Sequence, residues 1–203
     1  MKYYIDTEFI ESFYKPLLGK RRHFIDLISI GIVAEDGRGY HAISNEYNYY
    51  DASDWVKENV IDCLYIDTVH GDARNHLKTS NFQSRFGKSN KMIANDIWRF
   101  CMEGETRQPM GIGNPYEPVV EFYGYYADYD WVLFCSLFGT MIDLPKGFPM
   151  YCIDLKQTLD ELQLNFTSDL KQHQRYPKQI NEHNALSDAK WNKALHNFLE
   201  SDF

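Results

Sequence analysis

A chain of 203 residues, 44% hydrophobic and 25% charged, has the size and composition of one soluble domain with a core of its own, which excludes disordered, collagenous and coiled-coil classes. Its 21 basic and 29 acidic residues leave a net charge of −8. That excludes non-specific duplex binding through a basic surface, but not a nucleic-acid enzyme whose carboxylates are neutralised locally by metal ions.

Met1 opens directly onto a strand-like run, and apolar stretches such as residues 131–135 fall far short of the roughly 20 residues of a membrane helix, so neither a leader nor a membrane span is expected. The four cysteines, at 63, 101, 135 and 152, are too dispersed for a CxxC metal site and too few for a disulfide scaffold; reduced thiols in a cytoplasm fit them best. With no repeat, low-complexity tract or linker, residues 1–203 are expected to form a single domain.

The first third of the chain reads as β. Residues 3–8 are a short aromatic and β-branched run, and residues 27–34 (LISIGIVA) are apolar enough for a strand covered on both faces. Asp36-Gly37 then favours a tight hairpin into a third strand over residues 38–44. From Asp51 the pattern turns helical, with Trp55 expected to pack inward from an amphipathic helix. Residues 71–91 form the most basic stretch, with Arg74, Lys78, Arg85, Lys88 and Lys91 against one acid, Asp72.

A helix capped by Ser89 or Asn90 follows, its apolar stripe made by Ile93, Ile97, Phe100 and Cys101. Residues 119–125 predict a fourth strand, Asp130 onward a buried helix, and residues 149–154 a fifth strand. A closing helix starts near Ala185 with Asn184 as cap and Ala189, Ala194, Leu195, Phe198 and Leu199 facing inward. Three strands followed by strand and helix units predict an α/β fold with a mixed five-stranded central sheet flanked by helices.

Three acidic places stand out against this frame. Asp6 and Glu8 lie two apart on the first strand, so they share a face and can share a cation. They sit in an apolar element, where unpaired charge is expensive and a divalent ion removes the cost. Asp128 and Asp130 lie between an aromatic strand and an apolar helix, where a cap or a partner of the helix dipole accounts for one of them. His183 precedes the closing helix and Asp188 lies one turn inside it; each alone reads as surface or dipole chemistry.

In chain order these places spell DxE, then an aromatic residue with Asp, then His-x4-Asp, which resembles the DEDDh family of 3′–5′ exonucleases. The resemblance implies a ribonuclease-H-like fold and four carboxylates that hold two divalent cations, Mg2+ or Mn2+. Residue by residue, it assigns Asp6, Glu8, Asp130 and Asp188 to the metals and His183 as general base, with Glu8 also counted among the catalytic groups. Asp130 is preferred to Asp128 because Tyr129 fills the aromatic place immediately before it. The segments YIDTEFIE, DLISIGIVAEDGRGYHAIS, YADYDWVLFCSLFG and HNALSDA together resemble the ribonuclease AS group, a relative of oligoribonuclease, over nearly the whole chain. The stretch 63–91 departs from that group in its length. From the resemblance follow an exoribonuclease of single-stranded or short RNA, a preference for adenylate ends, and a homodimer.

The chemistry of the residues agrees. Phosphodiester hydrolysis needs an activated water, neutralised phosphate charge and a stabilised leaving oxygen, and two metals roughly 3.5–4 Å apart can serve all three. Magnesium prefers carboxylate oxygens and retained water. An imidazole, with an ordinary pKa of about 6.5, can take the proton of the attacking water. Thr7, Phe9 and Tyr129 are the candidate substrate contacts, with Tyr125 and Tyr126 as further surfaces for terminal bases. The basic residues of 71–91, with Lys20, Arg21 and Arg22, could hold phosphates. A DNA exonuclease with the same chemistry and a catalytically silent nucleic-acid-binding domain are the alternatives.

Overall fold

The structure is a computed structural model that describes residues 1–64, 80–103 and 120–201. Five strands make one sheet: β1 (Lys2–Tyr14), β2 (Arg22–Ala34), β3 (Gly39–Ile43), β4 (Glu121–Gly124) and β5 (Ile153–Asp154), in the order β3-β2-β1-β4-β5. β1 to β3 are antiparallel, whereas β4 runs parallel to β1 and β5 parallel to β4, so the sheet is mixed. Between β2 and β3 the chain turns at Gly37, whose φ of +94° favours glycine, and its N–H donates to Ala34 at 3.0 Å.

β1 and β2 extend well past the apolar runs that announce them. Residues 9–14 of β1 pair only with 22–27 of β2, beyond the reach of β3 and β4, so this end of the hairpin is two-stranded. Ile10 and Leu27 still reach the core, but residues 11–14 and 22–23 are exposed or half-buried and are held by cross-strand pairing, so apolar patterning did not reveal the full length.

The helices are α1 (Asp54–Val56), which continues into a π-helical turn (Lys57–Ile61), α2 (Ser80–Phe86), α3 (Asn90–Glu103), α4 (Asp128–Phe138), α5 (Leu155–Gln163) and α6 (Ala185–Ser201). They cover both faces of the sheet. Because side chains alternate along β1, Tyr3 and Ile5 pack with Ile93, Ile97 and Cys101 of α3 and with Trp131 and Phe134 of α4. On the opposite face Tyr4 packs with Leu155 and Leu159 of α5 and with Trp191, Leu195 and Phe198 of α6. A third cluster joins Ile10, Ile28 and Ile43 to Val60 and Ile61. This α/β arrangement is the expected one and is consistent with a ribonuclease-H-like fold.

Local expectations fared unevenly. Ser89 does start α3, accepting from the N–H of Met92, and the Asn184 side chain caps α6 by accepting from Ser187. Ala194, expected to face inward, is exposed, while the polar Asn192 and His196 are buried on that helix. The reason is hydrogen bonding to β1: the Asn192 amide donates to the Ile5 carbonyl at 2.8 Å, and His196 Nδ1 lies 2.9 Å from the Tyr4 hydroxyl.

Candidate active site

Asp6, Thr7, Glu8, Phe9, Tyr129, Asp130, His183 and Asp188 all line one cleft of about 340 Å³, together with Tyr125, Tyr126 and Gln179. Three elements bring them there. β1 supplies Asp6 and Glu8 from one face and Thr7 and Phe9 from the other; α4 supplies Tyr129 and Asp130 from its first turn; the start of α6 supplies Asp188. α6 can approach because Asp6 is paired across the sheet with Gly31. A Cβ on Gly31 would lie 2.2 Å from the Ala185 carbonyl oxygen, so only glycine lets the first turn of α6 rest on the sheet there.

Asp6, Glu8 and Asp188 each offer a carboxylate oxygen, and these atoms lie within 4.8 Å of one another. Asp130 stands beside this trio and is held by β1: the Thr7 N–H and hydroxyl both donate to its Oδ1, at 2.8 and 2.5 Å. Asp188 accepts from the Gln179 amide at 2.6 Å and from the His183 N–H at 2.9 Å. Each anchored carboxylate is thus oriented by donors on neighbouring segments.

The trio's electrostatics are unfavourable as the protein stands. Burial, reinforced by Asp130, Glu8 and Asp188, pushes the Asp6 carboxyl well above the usual range. Burial again, with Asp188 and Asp130, raises Glu8 to about 8. Burial raises Asp130 to about 6 against the hydrogen bonds from Thr7, and it raises Asp188 against those from Gln179 and His183. Converging carboxylates that resist ionisation together are the donor set a divalent cation satisfies, since its charge removes the repulsion and its hard character suits oxygen. The residues fit such an ion.

His183 has φ +65°, a left-handed backbone that turns the chain into α6. Its ring meets Trp55 edge to face at 4.9 Å. Trp55 is thus not packed inward as expected: the helical stretch 54–64 turns Val60, Ile61 and Leu64 to the core, and the indole is 54% exposed beside His183. Phe9 and Tyr129 stack at 5.5 Å with a 23° interplanar angle, forming one wall of the cleft. Thr7 lines the cleft too, but its hydroxyl is engaged by Asp130.

The sequence reading missed Gln179 and Trp55. Gln179 comes from an irregular segment with no periodicity to place it, and Trp55 lies on the outer face of an amphipathic helical stretch that buries Val60, Ile61 and Leu64 instead. Of the basic residues assigned to phosphate, Lys88 is paired with Asp96 at 2.7 Å; Arg74 and Lys78 lie outside the described residues.

By fold and site this is an α/β protein centred on buried carboxylates that open onto a cleft. Residues 1–199 match the model of the 3′–5′ exoribonuclease Rv2179c-like domain, and the chain belongs to that family. Two proteins of Mycobacterium tuberculosis, the 3′–5′ exoribonuclease Rv2179c of strain H37Rv and the 3′–5′ exoribonuclease MT2234.1 of strain CDC 1551, are each 30% identical to it over 161 residues. That alignment covers 79% of this chain and 75% of either relative.

Proposed function

We propose that the chain is a metal-dependent 3′–5′ exoribonuclease of the DEDDh type, acting as a single domain that releases nucleoside 5′-monophosphates from single-stranded or short RNA. The observation that carries this reading is the convergence of Asp6, Glu8 and Asp188 within 4.8 Å in a chain of an exoribonuclease family. Asp6, Glu8, Asp130 and Asp188 hold two divalent cations, Mg2+ or Mn2+. When bound, these supply neutralising charge to the scissile phosphate and lower the pKa of a coordinated water.

His183, at the rim of the cleft, takes up the proton of the attacking water, and Trp55 limits how its ring can turn. Glu8 serves the reaction as well as the cations. Phe9 and Tyr129 present a stacked aromatic wall to the terminal base, the kind of surface that binds single strands without demanding a sequence. Thr7 contacts substrate from the floor of the cleft while holding Asp130 in place. Preference for adenylate ends and a homodimeric state are carried by the resemblance to ribonuclease AS.

The test is a comparison of matched RNA and DNA oligomers, 5′-labelled and ending in adenylate or uridylate runs, resolved at single-nucleotide spacing. Faster shortening of RNA, fastest from adenylate ends, is expected. Faster shortening of DNA would make the protein a DNA exonuclease, and binding without cleavage of either would make it a silent binding domain.

A further inference from the structure

We propose that the outer end of the β1–β2 hairpin is a track for the 5′ portion of a single-stranded RNA whose 3′ end occupies the cleft, an inference that rests on the exoribonuclease reading. Residues 12–23 carry Lys15, Lys20, Arg21 and Arg22 and no carboxylate, within a chain of net charge −8. All four cations are exposed, and among the described residues none is paired with an acid. Cations that neutralise no protein charge are free to neutralise phosphates.

The track is joined to the cleft by contacts. Tyr129, stacked on Phe9, donates its hydroxyl to Glu11 Oε1 at 3.2 Å, and the same oxygen lies 2.8 Å from His23 Nε2. The His23 ring meets Phe13 at 5.2 Å, and the Arg21 guanidinium lies 4.1 Å over the Phe13 ring. Phe9, Glu11 and Phe13 alternate along β1, so from cleft to Arg21 is a straight run of strand roughly 13 Å long. Phe13 is 49% exposed, and a guanidinium plane laid on an aromatic ring is itself a platform for an unpaired base. Aromatic surface beside the cleft and cations further out match the order in which a single strand entering by its 3′ end presents terminal base and upstream phosphates.

The experiment uses the full chain and the Lys20→Gln/Arg21→Gln/Arg22→Gln variant, all at exposed positions. With a chelator present, fluorescence anisotropy of a 5′-labelled single strand of about a dozen nucleotides reads binding without cleavage. The variant is expected to bind about tenfold more weakly, and the slope of log affinity against log salt is expected to shrink by about 2, as for three lost phosphate contacts. With Mg2+ or Mn2+, the advantage in kcat/KM of that RNA over a dinucleotide should shrink in parallel. Equal affinity and equal salt slope would overturn the track. If neither protein cleaves RNA, the exoribonuclease reading fails while anisotropy still decides the track. Unchanged RNA affinity with a shift in sedimentation would make the hairpin, with its exposed Leu17 and Leu18, a contact between copies of the chain, and would equally overturn the proposal.

Discussion

Glu8 ties the chemistry of the site to its stability. Its ordinary value of 4.5 is raised to about 8 in the folded chain, so the fold favours the protonated form. The contribution of that preference is complete below pH about 4.5 and is lost as pH rises through about 8, because the unfolded chain then holds fewer protons than the folded one. Without divalent cations, thermal melts should therefore show stability falling across this window. Added Mg2+ should raise the melting temperature most at its upper end, where the ligands must otherwise ionise unaided. Glu8→Gln should flatten the metal-free dependence, and a cation effect independent of pH would argue against carboxylate ligation. His183 acts differently: His183→Ala should keep the Mg2+-induced gain in melting temperature while slowing RNA hydrolysis by roughly 10²–10⁴-fold. Retention of full rate would remove the histidine from its assigned role.

Among the elements, α6 decides whether the site exists. It is seated on Gly31 at its first turn and pinned to β1 through Asn192 one turn beyond Asp188. Gly31→Ala should push the Ala185 backbone off β2, costing about 1–3 kcal/mol of stability as overpacking does. Hydrolysis should fall further than the unfolded fraction explains, since Asp188 moves away from Asp6 and Glu8. Denaturant melts combined with rates on the folded population check this; a stable variant with full activity would show that α6 needs no such seat. What could be read in the sequence divides along the same line. Asp6 and Glu8 could be paired because strand alternation is local, whereas Asp130, His183 and Asp188, each alone no more than helix-start chemistry, were singled out by the resemblance to the DEDDh pattern; the structure brings all five to one cleft. The seat on Gly31 and the hold of Thr7 on Asp130 join segments far apart in the chain, and no spacing encodes them; the Gln179 contact to Asp188 spans nine residues but starts from an irregular segment that no periodicity places. Trp55 was misplaced because the helical stretch 54–64 buries Val60, Ile61 and Leu64 and leaves the indole outside, beside His183.

At the scale of the molecule, an acidic protein has to meet a polyanion. Its net charge of −8 repels RNA at long range, and on the proposed function it is the cations held at the carboxylates and the basic end of the hairpin that offset this where the strand is to lie. No helix among the described residues is long and apolar enough to cross a membrane. Element types and the mixed five-stranded sheet were legible because alternation, hairpin turns and helix caps are short-range signals; the strand order was not. The length of the β1–β2 arm was not either, since its outer residues are exposed and held by pairing between strands. Whether the carboxylate cluster makes this fold a cation-dependent enzyme working from the 3′ end can be decided with 5′-labelled single-stranded RNA. Wild-type protein is stripped with chelator and then given Mg2+ or Mn2+, beside Asp6→Asn. Intact RNA is expected in chelator, a ladder shortening one nucleotide at a time from the 3′ end when either cation is restored, and no ladder from the variant. A ladder that survives the chelator, or that Asp6→Asn produces at the wild-type rate, would contradict cation-dependent catalysis at this cluster.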